Sequence, residues 1–300
     1  MHQGVSVHQS VLLPEIIDGL HIEPGDVVVD ATVNGGGMSE EVLRRFQGTV
    51  SLICIDKDES ALQRAKVRLA PLKGSVRFIQ GNFSDIDKIL REEHIEKVDR
   101  VMFDLGLSSN QLESSGRGFS FQKNEPLIMT FEQSPQEGTL TAKNIVNEWE
   151  PENIETIIRI YGEERKAWHI VKAIVEARTL KKIENSSELA DIILRKVGRR
   201  GKTHPATKTF QALRIAVNDE LNSLKSGLEN SFSALAEDGR MAVISFHSLE
   251  DRMVKHFLKD KEKEGKAIRI TKKPIVPGDE EIAKNPRSRS AKLRILKKIT

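Results

Sequence analysis

Two short apolar runs, each ending in an acid, constrain the fold of this chain more than any other feature. The first is Val27–Asp30, which breaks into glycines at residues 35–37, and the second covers residues 52–56 and ends at Asp56. A strand that stops at a glycine turn exposes bare backbone to a ligand, and an acid at the end of the next strand can accept hydrogen bonds from a ribose. The pairing therefore predicts a nucleoside cofactor.

The first hundred residues alternate strand and helix patterns. Strands are predicted at residues 27–30, 50–56, 76–80 and 98–104, and helices at residues 39–46, 59–69 and 85–91. Near-continuous apolar strands separated by amphipathic helices are typical of a parallel sheet covered on both faces, with ligands bound at the carboxyl ends of its strands. The predicted fold class is therefore α/β.

After Asp104 the pattern changes to a loop rich in Ser, Gly and Asn, and then to helices without a strand between them. Helix starts are predicted at Thr141, at Pro151 in a first-turn position, and at Asn185, where Glu188 would complete a capping box. This segment is predicted to be an all-helical domain inserted into the sheet.

The strand pattern returns only after a further helical span, residues 206–235. Strands are predicted at residues 240–246, 267–272 and 292–298, and residues 260–287, which contain two prolines and many charges, are predicted to be mainly loop. We therefore expect a discontinuous α/β domain, residues 1–108 and 206–300, and an inserted helical substrate-recognition domain, residues 109–205.

The composition is typical of a soluble protein with a full core, since 38% of the residues are hydrophobic and 30% are charged. The sequence contains neither a signal-peptide pattern nor an apolar run near the roughly 20 residues that span a bilayer. We therefore expect a cytoplasmic protein without a membrane partner. The single cysteine, Cys54, lies in an apolar strand and is predicted to be a core residue, which excludes intrachain disulfides and cysteine-zinc sites.

The net charge is only +3, but the bases are unevenly distributed. Residues 195–208 and 287–300 each contain six basic residues, and acids are absent from both stretches: Arg195, Lys196, Arg199, Arg200, Lys202 and Lys208 in the first, and Arg287, Arg289, Lys292, Arg294, Lys297 and Lys298 in the second. Such stretches can be ordinary solvated surface. Their position next to glycines and prolines favours contacts with phosphate groups.

The glycine loop differs from the G-x-G-x-x-G fingerprint of dinucleotide enzymes, because residues 34–39 read N-G-G-G-M-S. A dehydrogenase is therefore disfavoured. Three further strand ends carry Asp56, Asn82 with Phe83, and Asp104 with Leu105 and Gly106. Each feature has an ordinary structural alternative: a turn glycine, Asp56 as a helix cap, Phe83 as a core residue. Together they suit S-adenosylmethionine, with an acid for the ribose hydroxyls, an apolar side chain against adenine, and acids facing the cationic ligand.

Six longer segments make the resemblance to a known family specific. They occur in that family's order and are DLGLSS (104–109), RGFSF (117–121), YGEER (161–165), HPATKTFQALRIAVNDEL (204–221), ISFHSLEDR (244–252) and NPRSRSAKLR (285–294). They resemble the bacterial ribosomal RNA small-subunit methyltransferase H family, also called MraW, and the likeness covers nearly the whole chain from His8. The resemblance implies a class I, Rossmann-like, S-adenosylmethionine-dependent methyltransferase domain with a helical insertion.

The resemblance also implies the reaction, the partner and the site. The family transfers methyl from S-adenosylmethionine to the exocyclic N4 amine of a decoding-centre cytosine in 16S ribosomal RNA, so the expected partner is 16S rRNA or the small ribosomal subunit. Cofactor contacts carried over by motif are Gly36, Gly37, Met38, Asp56, Phe83, Asp104 and Gln111, where Gln111 has an ordinary loop hydrogen bond as its alternative. Expected RNA contacts are Arg117, Arg199, Arg200, Lys202, His204, Lys208, Arg287 and Arg289.

The chemistry requires a proton acceptor, because the cytosine amine shares its lone pair with the ring and must lose a proton as the methyl group arrives. Asp104 is the candidate catalytic residue, with a role confined to the cofactor as its alternative. Phe119 and Phe121 are expected either to stack on an unpaired target base or to pack the insertion onto the core. His204 and His247 lack the spacing of a metal site, so we expect hydrogen-bonding roles and no metal.

The chain departs from the family pattern close to the proposed site. In the glycine loop, Ala31, Asn34, Gly35 and Met38 stand where the family has glycine, glycine, arginine and histidine. Asn110 replaces a proline, and Ile128 and Thr130 replace the acid and the base of the family's P-L-D-M-R motif. Two alternatives therefore stay open: a catalytically weak or inactive rRNA-binding relative in ribosome assembly, and a methyltransferase of the same fold with another substrate.

Overall fold

The computed structural model describes residues 10–133, 135–199, 201 and 203–300. The chain divides into an α/β unit, Met1–Gly106 with Leu221–Thr300, and a helical unit, Leu107–Glu220. The strands are β1 Val27–Asp30, β2 Ser51–Asp56, β3 Ser75–Gln80, β4 Val98–Asp104, β5 Leu235–Ser245, β6 Ala267–Arg269 and β7 Lys292–Lys298.

The helices lie before, between and after these strands along the chain. They are α1 Leu13–Leu20, α2 Gly37–Phe46, α3 Glu59–Leu69, α4 Ile86–Glu92, α5 Ser109–Glu113, α6 Ala142–Glu148, α7 Pro151–Ile160, α8 Ala167–Leu180, α9 Ser186–Val197, α10 Thr207–Asn218, α11 Glu220–Ala234, α12 Ser248–Lys263 and α13 Asp279–Lys284. Short 3₁₀ turns cover Phe83–Asp85 and Pro286–Ser290.

The strands form one seven-stranded sheet in the order β3-β2-β1-β4-β5-β7-β6. The first five strands in this order are parallel, and β7 runs antiparallel to both of its neighbours. Asp30, the last residue of β1, pairs with Cys54 on one side and Met102 on the other. The strand order reverses between β1 and β4, where doubly wound sheets bind their ligands. The predicted class I, Rossmann-like sheet is confirmed.

Successive residues of the central strands enter two different cores, which explains why these strands are apolar throughout. Val28 and Met102 belong to the core on one face, and Val29 and Val101 belong to the core on the other. Both faces are covered by helices, as expected for a parallel sheet. Cys54 is fully buried in the first core and unpaired, as predicted, and burial raises the pKa of its thiol.

A third apolar cluster forms the core of the helical unit and determines its limits. Phe210 and Leu213 of α10 are buried in this cluster with residues of α6–α9. The helical unit therefore extends to Glu220, whereas the sequence pattern placed its end at residue 205. The cause is that residues 206–235 form a continuous helical pattern, which the structure breaks at Asp219 with a φ of 49°.

Most predicted elements agree with the structure, and the predictions for residues 59–69, 98–104 and 292–298 match it at both ends. The capping box at Asn185 is wrong, because the Glu188 carboxylate accepts the N–H of Glu184 instead. The loop predicted for residues 260–287 contains the end of α12, strand β6 and the short helix α13.

Asn218, the last residue of α10, holds the segment after α5 against the end of α10. Its side-chain oxygen accepts the N–H of Phe131 at 2.8 Å, and its Nδ2 donates to the carbonyl of Met129 at 2.8 Å. Asn218 is only 7% exposed, so these bonds are shielded from water. A buried backbone group that loses its partner costs roughly 1–3 kcal/mol.

We predict that Asn218→Ala lowers the free energy of unfolding of the helical unit by about 2 kcal/mol. Both tryptophans, Trp149 and Trp168, lie in this unit, so urea unfolding followed by tryptophan fluorescence reports on it. The control is Asn153→Ala, which changes an exposed asparagine of α7. Equal stability of the two variants would contradict the role assigned to Asn218.

Candidate cofactor site and basic surfaces

Backbone hydrogen bonds to the neighbouring strands fix the loop between β1 and α2. The N–H of Ala31 donates to the carbonyl of Met102 at 3.0 Å, and the N–H of Val33 donates to the carbonyl of Ile55 at 3.0 Å. One residue further on, the N–H of Asn34 donates to the Asp56 carboxylate at 2.9 Å. The loop is therefore tied to β4 and β2 on both sides of β1.

The glycines of this loop are required by close packing as well as by backbone conformation. Gly36 has a φ of 78°, and a Cβ at this position would lie 3.1 Å from the Cβ of Ala65 on α3. A Cβ on Gly37 would lie 2.3 Å from the Ser10 hydroxyl. Met38 is 4% exposed, so its side chain belongs to the core and its backbone is what faces the loop.

Helix α2 begins directly after the loop, and its first N–H groups have no partner within the described part of the chain. Such groups carry partial positive charge and bind anions such as a carboxylate. The glycine loop and the start of α2 therefore suit the carboxylate end of an amino-acid ligand. Gly36, Gly37 and the Met38 backbone lie at this point, and their contact with the cofactor stays a prediction.

Arg68 of α3 is a contact to the loop that the sequence analysis missed. Its Nη1 donates to the carbonyl of Gly35 at 2.9 Å, and its Nε lies 3.3 Å from the Glu40 carboxylate on α2. The Arg68 side chain is one-quarter exposed and also lies next to Gly36 and Gly37. Arg68 thus fixes the outer side of the loop, although the loop itself contains no charged residue.

Asp56 ends β2 and holds two segments at once. Its Oδ2 accepts from Asn34, and its Oδ1 accepts the N–H of Asp58 at 2.8 Å. Asp58, rather than Asp56, is the side-chain cap of α3. Burial raises the pKa of Asp56 to about 7, against the opposite effect of the two backbone donors. Each oxygen keeps a second lone pair, which can accept a ribose hydroxyl.

Asp104 ends β4 and is an incompletely satisfied buried acid. Its backbone N–H donates to the Thr32 hydroxyl at 2.6 Å. Its side chain is 8% exposed, and its Oδ1 has no hydrogen-bond partner in the described part of the chain. Burial, together with the nearby charges of Asp30 and Glu250, raises the pKa of Asp104 to about 7.

Asp30 adds a third buried acid to this edge of the sheet. It is 1% exposed and accepts the Ser39 hydroxyl at 2.6 Å, and burial raises its pKa to about 6. The charge of Asp30 further raises the pKa values of Asp56 and Asp104, and bases do not contribute to the shifts of Asp30, Asp56 or Asp104. A bound cation would relieve this desolvation and repulsion, so the edge fits a positively charged ligand.

Phe83 packs as a core residue, which was the alternative interpretation of the sequence. Its ring meets Phe103 edge-on with 5.5 Å between ring centroids. A Cβ on Gly227 of α11 would lie 2.5 Å from the Phe83 ring, so that glycine makes room for it. Phe83 is only half-buried, and contact with adenine stays a prediction for its remaining surface.

Gln111 lies in the helical unit, where its side-chain oxygen accepts the N–H of Ser108 at 3.0 Å. This is one half of a capping box at the start of α5. The cofactor contact predicted for Gln111 stays a prediction.

His247 and His204 both make hydrogen bonds at the start of a helix, as predicted. The Nδ1 of His247 accepts the N–H of Glu250 at 3.3 Å, within the capping box of α12. The Nδ1 of His204 accepts the N–H of Ala206 at 3.2 Å, just before α10. In the helical unit, the rings of Phe121 and His204 are stacked with 4.5 Å between centroids.

The RNA contact predicted for Arg117 is not supported. Arg117 is 6% exposed, and its Nη1 donates to the carbonyls of Thr130, at 3.2 Å, and Phe131, at 2.6 Å. Its guanidinium also lies 5.4 Å from the centroid of the Phe119 ring. Arg117 therefore holds a loop of the helical unit, since buried carbonyls need a donor. A count of charges along the sequence does not reveal such burial.

Phe119 and Phe121 pack within the helical unit. Phe119 stacks on Phe131 with 5.9 Å between centroids, and Phe121 meets Phe210 edge-on at 5.1 Å. Phe119 is 6% exposed. Both rings therefore contribute to the packing of the helical unit itself, and stacking on a target base stays a prediction.

The remaining predicted RNA contacts are mostly exposed. Arg199 and Lys208 are exposed in the helical unit, and Arg287 and Arg289 are exposed in the α/β unit. His204 is half-buried, and its pKa is lowered by burial and by the charge of Arg199. Arg200 and Lys202 lie outside the described residues.

Several features of the α/β unit define its class. These are a doubly wound sheet with an antiparallel β7, a glycine loop after β1, and acids that end β2 and β4. The arrangement is that of a class I methyltransferase, in which a nucleoside cofactor lies across the carboxyl ends of the first strands.

The chain belongs to the MraW methylase family, whose model matches residues 5–299. A ribosomal RNA small subunit methyltransferase H from Persephonella marina is 47% identical over 295 residues, covering 97% of this chain and 99% of that protein. A protein of the same name from Paenibacillus sp. is 42% identical over 316 residues, covering 97% of this chain and 99% of that protein.

One solved structure illustrates a more distant likeness. An S-adenosylmethionine-dependent O-methyltransferase from Thermotoga maritima aligns with 96% of this chain and 64% of that chain, with a TM-score of 0.43 and 10% identity.

S-adenosylmethionine is the cofactor of this methylase. The residues present fit it on three observations: the Asp104 oxygen that lacks a partner among the described residues, the acids at this edge whose raised pKa values no described base lowers, and the tight packing of Gly36 against α3. Within the part of the chain that the structure describes, no helix combines the length and the apolar character needed to cross a membrane.

The raised pKa of Asp104 predicts a pH-dependent stability. Its pKa is near its ordinary low value in the unfolded chain and about 7 in the folded one, so the folded state favours the protonated form. This contribution to stability is present at low pH and is lost as the pH rises through 7. Without cofactor, the melting temperature is expected to fall between pH 5.5 and 8.

In Asp104→Asn this decrease is expected to be smaller by at least about 2 °C, because the share of Asp104 is removed. The measurement is thermal unfolding by circular dichroism at several pH values. The matched control is Asp87→Asn, an acid of α4 that pairs with Arg91. The assignment fails if Asp104→Asn keeps the full pH dependence of the unmodified protein.

The contact of Arg68 with the loop predicts a positioning role in cofactor binding. Arg68→Ala is expected to weaken S-adenosylmethionine binding about tenfold, because a hydrogen bond from a charged group to the Gly35 carbonyl is lost. Arg44→Ala is the control, since Arg44 pairs with the same Glu40 at 2.7 Å and is on α2. Titration calorimetry gives both affinities, and equal values for the two variants would refute the role of Arg68.

Proposed function

We propose that this protein transfers the methyl group of S-adenosylmethionine to the exocyclic N4 amine of a decoding-centre cytosine in 16S ribosomal RNA, in the cytoplasm. The observation that carries the proposal is the 47% identity, over nearly the full length of both chains, to a protein named ribosomal RNA small subunit methyltransferase H. The substrate in the proposal is 16S rRNA or the small ribosomal subunit.

The α/β unit supplies the residues that would hold the cofactor. Gly37 and Met38 offer backbone N–H groups to its carboxylate, Gly36 lets the backbone approach it without a side chain, and Asp56 offers oxygens to its ribose. When bound, the cofactor supplies an activated methyl group on a sulfonium, so most of the catalytic effect comes from positioning the two reactants. Asp56, Arg68 and the strand ends fix this side of the site before any ligand arrives, which is preorganisation of the kind that such a reaction needs.

Asp104 is the proposed proton acceptor for the amine. A pKa of about 7 leaves the carboxylate partly ionised at neutral pH and able to hold a proton. Its Oδ1 has no hydrogen-bond partner among the described residues, so an amino hydrogen would not displace an existing contact. The same oxygen would also balance the positive charge of the cofactor, and the two roles require the same ionised form.

The helical unit is proposed to recognise the RNA, with Arg199, His204 and Lys208 as contacts and with Arg287 and Arg289 contributing from the α/β unit. Arg199, Lys208, Arg287 and Arg289 are exposed, as phosphate contacts must be, and His204 is half-buried. Arg200 and Lys202, outside the described residues, belong to the same basic stretch. The target base must be unpaired or turned out of its helix to reach the cofactor.

A second candidate is a relative that binds rRNA without efficient transfer. The observation that favours it is Ile128, an apolar residue in the segment before α6, where the resembling family has an acid. Thr130 occupies the position at which the same motif has a base. It is buried, and its carbonyl accepts a hydrogen bond from Arg117. Loss of both charges removes an ion pair as a unit, which a fold tolerates well. A third candidate is transfer to another substrate.

The test uses tritiated S-adenosylmethionine and small ribosomal subunits from cells that lack this gene. We expect label in N4-methylcytidine after nuclease digestion, and a loss of at least about 100-fold in the transfer rate for Asp104→Asn. Asp56→Ala, in the same assay, is expected to raise the cofactor concentration required.

Other outcomes select another function. Label in protein or in an RNA other than 16S rRNA supports the third candidate. Absence of label, with cofactor binding confirmed by calorimetry and RNA binding retained, supports the second candidate and contradicts our proposal.

A further inference from the structure

A cavity of about 220 Å³ lies within the helical unit, where the segments before α8 and α10 meet the end of α9. Its polar lining comes from Glu164, Lys166, Thr203, His204 and Lys208. Pockets that take whole drug-sized ligands measure roughly 300–1,000 Å³, so this one suits a single small group.

The cavity carries more positive than negative charge. Lys166 and Lys208 face a single acid, Glu164. The Oε1 of Glu164 accepts the N–H of Lys166 at 2.8 Å, and its Oε2 lies 3.9 Å from the Lys208 ammonium. Glu164 therefore fixes the backbone just before α8 and balances one lysine. The second lysine is left as net charge, while Arg199 and Asp191 act on the nearby His204 with opposite signs.

The donors of the cavity are held in place by the protein. Lys208 donates to the carbonyl of Glu163 at 2.8 Å, and Lys166 donates to the carbonyl of Val197 at 3.4 Å. An ammonium has three donors, so each lysine can also bind an anion. His204 uses Nδ1 as an acceptor, which places the proton of the neutral ring on Nε2, and the stacked Phe121 ring fixes its orientation.

One exposed aromatic side chain follows Lys166 in the chain. Trp168, in the first turn of α8, is 48% exposed, although tryptophan is mostly buried in folded proteins. It is two residues from Lys166 along the chain. Cationic groups beside an exposed aromatic ring are typical of proteins that bind single-stranded nucleic acid, in which bases stack on the ring and the backbone contacts the charges.

We propose that this cavity binds one phosphate of the RNA backbone through Lys166, Lys208 and His204, and that Trp168 stacks on a neighbouring unpaired base. The inference rests on the proposed function, since it assumes that the substrate is RNA. It adds the chemical group that the helical unit recognises, and it assigns roles to Glu164, Lys166 and Trp168.

The test measures binding of a fluorescein-labelled single-stranded RNA by anisotropy between 50 and 200 mM salt, with the full-length protein. Lys166→Gln with Lys208→Gln is expected to weaken binding about tenfold and to reduce the slope of log affinity against log salt by roughly 1. Lys172→Gln, which removes an exposed charge from the same helix α8, is expected to change the slope much less.

A variant that removes the acid of the cavity is expected to have the opposite effect on RNA binding. Glu164→Gln keeps an oxygen that can accept the Lys166 N–H but removes the negative charge, so it is expected to tighten RNA binding several-fold. The RNA should also quench the tryptophan fluorescence of the unmodified protein, and this quenching should be lost in Trp168→Phe.

Two results would overturn the proposal. One is a double lysine variant that behaves like Lys172→Gln in both affinity and slope. The other is competition by inorganic phosphate at matched ionic strength with Trp168 unquenched by RNA, which would assign the cavity to a free anion.

Methyl transfer to small subunits is measured in parallel to separate the two claims. If the unmodified protein transfers methyl groups and the double variant binds RNA unchanged, phosphate binding by the cavity is refuted and the proposed function is unaffected. Absence of transfer by the unmodified protein, with the lysine effects present, refutes the proposed activity and supports the cavity.

Discussion

The hydrogen bonds of Asp56 are the interaction on which the cofactor site depends. This one carboxylate accepts from Asn34 in the glycine loop and from Asp58 at the start of α3, so the end of β2 determines where both segments lie. Arg68, in the last turn of α3, completes the arrangement by donating to the carbonyl of Gly35. The loop is thus held by side chains outside it, which explains how it can consist of small and uncharged residues and still have a defined shape.

The edge of the sheet combines this rigidity with unfavourable electrostatics. Asp30 and Asp104 are buried and Asp56 is half-buried at the ends of three strands, and burial raises the pKa of each. Such a cluster destabilises the ligand-free protein in its ionised form, and a cationic ligand compensates for it. The same residues that position the cofactor therefore also favour a ligand with positive charge, and the oxygen of Asp104 that lacks a partner among the described residues lies at this edge.

The sequence predicted the sheet well because burial on both faces makes the central strands apolar along their whole length, as in Val98–Asp104. It also predicted that Asp56 and Asp104 end strands of this parallel sheet. It did not predict Arg68, whose role depends on the reach of a side chain from another element, or the burial of Arg117, which looks like any other base in a sequence. The end of the helical unit was missed because only the packing of Phe210 and Leu213 assigns α10 to it.

The insertion between β4 and β5 has a consequence for how the protein is made. Asp104 pairs with Ile244, and the whole helical unit lies between them in sequence. On the ribosome, the first four strands emerge before their partners β5 and β7 exist, whereas the helical unit has all of its core residues within one continuous segment. Local contacts form faster than distant ones. The helical unit is therefore expected to fold first during synthesis. Until the C-terminal strands are made, the edge of β4 that pairs with β5 has no partner strand.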